Sequence, residues 1–290
     1  VVYTGANDGM IHAFTSWKYN RSTQSYSQPS GTTEDIGDEI WGFIPQTLLP
    51  HLKWLPGQDY THVYYNDLRL KVFEAKILPD DTHYADADSD KNWGTFLLAG
   101  LNYGGKHIWV EDDFDDNPAT ADELRHFYPT YICLDITDPR NPRLMWERTY
   151  SKPAAPPTTA DNTTDLGLTT SFPSIQKVDE QWFAVFGSGA QDFGGEGSNK
   201  GHIFVVDLAT GLPHQNGGTT DGVTKLPNQD GTSDWLFETD EDDAFMANPA
   251  SFDKNMNYNV DAVYIPETYN SGNAVNPVWE GAVYKIRIPF

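Results

Sequence analysis

Short apolar runs punctuated by Gly, Pro, Asn and Asp alternate with polar positions along the whole chain. The dominant spacing is two residues, the period of a strand with one face buried, and helical periodicity is nearly absent. One unit recurs: an apolar strand, a turn containing glycine, and a second strand alternating apolar and polar residues. It reads VVYTGANDGMIHAF at 1–14, TFLLAGLNYGGKHIWV at 95–110, FAVFGSGAQDFGGEGSNKGHIFVVD at 183–207 and AVYIPETYNSGNAVNPVWEGAVYKIRI at 262–288. Further strands are predicted at 40–44, 62–65, 70–77, 131–136, 144–147, 171–178 and 248–252. Short helical turns are predicted at 45–52 and 119–127.

Two strand exits share a pattern, ICLDITDPRNPRLMW at 132–146 and FVVDLATGL at 204–212: a strand, an aspartate, then a tight turn with Pro or Gly. That pattern is common where one propeller strand leads to the outer strand of its blade. The expected fold is therefore all-β, a modified β-propeller forming one domain over 1–290, with a sandwich as the competing β architecture. Four units are too few to close a ring, and an unclosed ring exposes strand edges. The expectation is a partial set of blades from a larger protein, with further blades on the C-terminal side. Polar or Pro-rich stretches at 17–39, 151–165 and 214–234 read as surface insertions.

Charge narrows the partners. The chain carries 42 Asp plus Glu against 19 Lys plus Arg, a net −23. It has no basic balance for a nucleic-acid partner, and anionic lipid is disfavoured for the same reason. Cys133 is the only cysteine, set in the apolar run Tyr131-Ile132-Cys133-Leu134, so no intrachain disulfide forms and a small core residue is expected. No stretch approaches the roughly 18 apolar residues of a membrane span.

The sharpest chemical signal is residues 253–261, DKNMNYNVD, which place side-chain oxygens on Asp253, Asn255, Asn257, Asn259 and Asp261. Alternate oxygens on a turn suit a hard cation such as Ca2+, which takes 6–8 oxygen ligands. Asp261 opens an expected strand and closes the loop onto a rigid element. Only Asp253 and Asp261 bring charge, which predicts weaker affinity than a loop with three or four acids; an Asn-rich turn without metal is the competing reading. Asp86, Asp88, Asp90 and Asn92 form a second, weaker candidate, with no acid to complete the loop. The runs 112–116 and 240–243 lack alternation and read as solvated turns. The eight histidines show no metal spacing, and Ser188 lies in Gly-Ser-Gly without the first glycine of a hydrolase elbow, so no catalytic role is expected.

Several blocks in order resemble the PilY family: VYTGANDGMIHAF at 2–14, EIWGFIPQTLLPHL at 39–52, HVYYNDLRLKVFEA at 62–75, WGTFLLAGLNYGGKHIWVED at 93–112, CLDITDPRNPRLMWE at 133–147, SFPSIQKVDEQWFAVFGSG at 171–189 and GHIFVVDLATG at 201–211. The resemblance implies a modified seven-bladed propeller exported from the cell to the tip of a type IV pilus or the outer cell surface. It implies roles in pilus biogenesis, surface adhesion and twitching motility, with minor pilins and the tip complex, and a host or abiotic surface, as partners. It also implies a calcium loop at Asp253, Asn255, Asn257 and Asp261, with Asn259 where a backbone carbonyl is expected. The chain departs from the family at Asn257, where Asp is usual, and at Val263-Tyr264-Ile265-Pro266. Two other functions share the fold signals. A quinoprotein dehydrogenase is also a propeller, but this chain lacks its vicinal cysteines and repeated docking motif. An extracellular carbohydrate-binding lectin fits the many aromatic residues in loops.

Overall fold

The computed structural model describes residues 1–28, 35–79, 92–114, 122–150, 164–195, 199–214, 237–273 and 275–286. The strands are β1 (Val2–Gly5), β2 (Ile11–Phe14), β3 (Lys18–Asn20), β4 (Ser25–Ser27), β5 (Glu39–Phe43), β6 (Lys71–Lys76), β7 (Trp93–Ala99), β8 (Ile108–Asp112), β9 (Glu123–Phe127), β10 (Tyr131–Asp135), β11 (Arg143–Arg148), β12 (Ser174–Val178), β13 (Gln181–Gly187), β14 (His202–Asp207), β15 (Phe237–Glu238), β16 (Ala244–Met246), β17 (Ala250–Phe252), β18 (Ala262–Asn270) and β19 (Trp279–Ile286). All the strand pairs are antiparallel. The one helix among the described residues is a 3-10 helix at Gln46–Trp54.

Four sheets follow one another along the chain: β1-β2-β5, then β6-β7-β10-β11, then β12-β13-β14-β15, then β18 flanked by β19 on one side and by β16 and β17 on the other. The alternation of side chains explains how they stack. In the second sheet Leu97, Ala99, Ile132 and Leu134 join Ile11 and Leu48 in one core, while Phe96, Leu98, Tyr131 and Cys133 join Ala184, Phe186, Phe204 and Val206 in the next. The third sheet repeats the arrangement, with Phe183, Val185, Ile203 and Val205 packing against Met246, Val263 and Ile265 of the fourth. A strand buried on both faces shows a continuous apolar run, and β10 is buried at every position. Successive sheets thus pack face to face in chain order, the blades of a β-propeller.

Polar anchors join neighbouring blades. Trp41 Nε1–H donates to the Pro139 carbonyl (2.9 Å) and Trp146 Nε1–H to the Leu208 carbonyl (2.9 Å). The Glu147 carboxylate accepts from the Gln46 and Thr47 amides at 2.9 and 2.8 Å, satisfying donors that the start of a helix leaves unpaired. The two strand-exit aspartates have the same task. Asp135 Oδ1 accepts from the Thr137 amide and hydroxyl, and Asp207 Oδ1 from those of Thr210, so each fixes its turn.

Three expectations change. The unit at 95–110 is not a hairpin: β7 pairs with β6 and β10, and β8 pairs with β9 in a separate ribbon. The stretch 123–127, expected to be helical, is β9, because pairing along the whole of β8 outweighs a weak local propensity. Residues 62–65 carry a strand-like sequence but run irregularly, with Tyr65 buried and its hydroxyl donating to the His51 carbonyl (3.0 Å). The insertion at 17–39 contains the β3–β4 hairpin. The insertions at 151–165 and 214–234 lie almost wholly outside the described residues. Among the described residues no helix is long and apolar enough to cross a membrane.

Candidate functional site

The loop at 253–261 joins β17 to β18, two strands paired from Ala250↔Tyr264 to Phe252↔Ala262. The Asp261 amide bonds the Phe252 carbonyl (2.9 Å) and closes its base. Inside the loop, side-chain oxygens turn toward backbone amides. Asp253 Oδ2 accepts from Tyr258 N (2.7 Å) and Oδ1 from Asn257 N (3.3 Å). Asn255 Oδ1 accepts from Asn257 N (3.1 Å) and Asn257 Oδ1 from Asn259 N (2.9 Å), two successive Asx turns. Asp261 Oδ2 accepts from Lys254 N (2.6 Å). Met256 and Tyr258 take positive φ, 57° and 70°, and their side chains are 85% exposed. The left-handed conformation at these two positions turns their side chains out to solvent and accompanies the inward set of oxygens.

Four of the five expected ligands, Asp253, Asn255, Asn257 and Asp261, therefore share one tight loop held by their own oxygens. Asn259 differs. Its Oδ1 accepts from Asp179 N (3.0 Å), in the turn between β12 and β13, and Val260 N donates to the Lys177 carbonyl (3.1 Å). The Asn259 side chain thus fastens the loop to the preceding blade. Loop and inter-blade joint are one structure.

Asp86, Asp88 and Asp90 of the second candidate lie outside the described residues; Asn92 stands at the entry to β7 with φ 80°. Of the acidic run 240–243, Asp240, Glu241 and Asp242 are exposed, as expected of a solvated turn. Among the described residues no three His, Cys, Asp or Glu side chains cluster as a metal site. Cys133 is fully buried, and burial raises its thiol pKa. Ser188 is also buried, and its hydroxyl accepts from the His202 amide (2.9 Å), a backbone role rather than a nucleophile's.

No motif in the sequence marks a cleft of about 590 Å3, lined by His51, Trp54, Tyr60, Tyr64, Tyr103 and Phe193 together with Lys53 and Lys106. Its walls come from three distant segments. The one signal in the sequence was the abundance of aromatic residues in loops.

No protein-family profile matches the chain. It is 28% identical over 212 residues to a type IV pilus biogenesis factor PilY1 homolog of Xylella fastidiosa, covering 73% of this chain and 12% of that protein. It is 25% identical over 254 residues to the type IV pilus biogenesis factor PilY1 of Pseudomonas aeruginosa, covering 82% of this chain and 16% of that protein. The chain therefore spans only a small part of the length of these relatives. Among solved structures, the crystal structure of the Pseudomonas aeruginosa PilY1 C-terminal domain aligns with a TM-score of 0.46 and 20% identity, covering 92% of this chain and 36% of that one.

Proposed function

Because this chain is a member of the PilY family, we propose that it is a propeller portion of a type IV pilus biogenesis factor, with Ca2+ as a regulatory ligand at residues 253–261. The whole protein would act outside the cell, at the pilus tip or the outer surface, in pilus assembly, surface adhesion and twitching motility. Minor pilins of the tip complex and a host or abiotic surface would be its partners. The role is one of binding rather than catalysis.

One observation supports the calcium reading above the others: Asp253, Asn255, Asn257 and Asp261 already turn their oxygens into a single closed loop. Backbone amides hold these oxygens, so little ordering remains when an ion arrives. Ca2+ supplies a hard positive charge that draws the two carboxylates together. Because Asn259 and Val260 of the same loop bond Asp179 and Lys177, stiffening the loop would also stiffen the joint between the third and fourth blades. An ion bound only by the folded loop stabilises the fold by mass action.

Calorimetric titration with Ca2+ tests this on the parent chain and on Asp253→Ala. Heat of binding to one site is expected for the parent, with none for the variant. Equal titrations of the two, or no heat from the parent, would remove the calcium reading.

A further inference from the structure

The cleft of about 590 Å3 lies where the end of the 3-10 helix and the chain after it (residues 51–64) meet the turn after β7 (residues 103–107) and Phe193 in the β13–β14 connection. That volume is within the range of small-molecule sites. Three of its properties converge on one class of ligand.

The first is uncovered aromatic area. Tyr64, Tyr103 and Phe193 form a triangle with ring centroids 5.6–6.0 Å apart, all tilted or edge-on to each other. They nonetheless remain 38%, 41% and 57% exposed. Trp54 and Tyr60 on the same cleft are also exposed. Large rings left wet in a concavity gain from a ligand that presents a flat C–H face.

The second is the sign of the charge. Lys53 Nζ sits 5.0 Å over the Trp54 ring and Lys106 Nζ 5.3 Å over Phe193. Neither makes an ion pair among the described residues, although the chain carries 42 acids. Among the described residues Asp59 is the one carboxylate lining the cleft, so the two ammonium groups outweigh it. The cleft is locally cationic in a strongly anionic protein. That suits a compact ligand with one or a few carboxylates and disfavours an extended polyanion, which the net −23 would repel.

The third is an acceptor without a donor. His51 is 4% exposed, lines the cleft, and packs edge-on to Trp54 at 5.2 Å. Its ring bonds the Lys106 carbonyl, and the buried Nε2 has no hydrogen-bond partner among the described residues. Burial, with the nearby Lys53 charge, lowers its pKa to about 4, so the ring is neutral at physiological pH and Nε2 accepts rather than donates. A hydroxyl that reached this covered nitrogen would be its complement.

We propose that this cleft binds an acidic saccharide, its pyranose face stacked on Tyr103 and Phe193 and its carboxylate held by Lys106 and Lys53. A sugar acid brings the C–H face, the hydroxyl donors and the charge in one small unit. An aromatic peptide would cover the rings but lacks the dense hydroxyls.

Saturation-transfer NMR and calorimetry test the proposal with two acid and neutral pairs: trigalacturonate against its methyl ester, and sialyllactose against lactose. The first pair represents a polyuronate source and the second a sialylated glycan, and binding of either acid supports the proposal. The acid is expected to bind about tenfold or more tightly than its neutral partner, and more weakly as salt rises. Lys106→Gln should reduce that preference severalfold, and Phe193→Ala, at an exposed position, should weaken both members of the pair with an unchanged melting temperature. The proposal is overturned if neither acid binds, if acid and neutral forms bind equally, if both variants bind as the parent does, or if a tyrosine-rich peptide binds the cleft more tightly than either acid.

Discussion

Asp261→Asn separates the two tasks that its carboxylate would have. In the loop as it stands, Asp261 Oδ2 accepts the Lys254 amide at 2.6 Å. The amide oxygen of asparagine takes the same bond, so stability without calcium should change little. The charge of the ligand set, however, falls from two carboxylates to one. Losing one charged ligand contact costs about 2 kcal/mol, which weakens calcium binding roughly thirtyfold. At a calcium concentration of about 100 times the parent Kd, mass action adds about 2.7 kcal/mol to the parent. At the same concentration the variant gains only about 0.9 kcal/mol by the same relation. In thermal terms the parent should rise by roughly 4–5 °C and the variant by roughly 1–2 °C. Differential scanning calorimetry with and without Ca2+ reads both. A variant that keeps the full shift would show that the Asp261 charge does not hold the ion. A variant already destabilised without calcium would show instead that the carboxylate has a structural role beyond the Lys254 bond.

Three further outcomes are expected. A Cβ on Gly104 would overlap the Tyr65 carbonyl oxygen, and backbone cannot yield as a flexible side chain can. Gly104→Ala should therefore cost about 3 kcal/mol or more, read as a lower urea midpoint. His51 is held neutral, with a folded pKa of about 4, chiefly by burial and then by the Lys53 charge. The unfolded chain binds the extra proton below about pH 6.5, so stability should fall by up to about 3 kcal/mol as pH drops from about 6.5 to about 4, and His51→Gln should flatten that limb. His12 acts in the opposite sense: burial lowers its pKa, but hydrogen bonds to Glu39 and Asp8 outweigh this and raise it. Its stabilisation is full below the unfolded pKa and is lost as pH rises through the folded one, so His12→Gln should weaken the protein on the acid side of that window.

The β character and most strand positions were legible in the sequence, because a two-residue period and glycine or aspartate turns are local properties. The hairpins at β1–β2, β13–β14 and β18–β19 follow from that alone. So do the two Asx turns within 253–261, since such a turn needs only its own neighbours. Partner choice was not legible. Whether β7 pairs with β8 or with β6 and β10 depends on which face meets which core, and those cores join residues more than a hundred positions apart, as Ala75 shares one with Phe186. The bond from Asp179 to the Asn259 side chain was not legible, because nothing local reveals that Asp179 lies beside it. The cleft is the extreme case: its rings are scattered among three segments, each unremarkable alone. Local order is set by steric and hydrogen-bonding preferences within a few residues, whereas sites between blades exist only once burial of apolar faces has stacked the sheets.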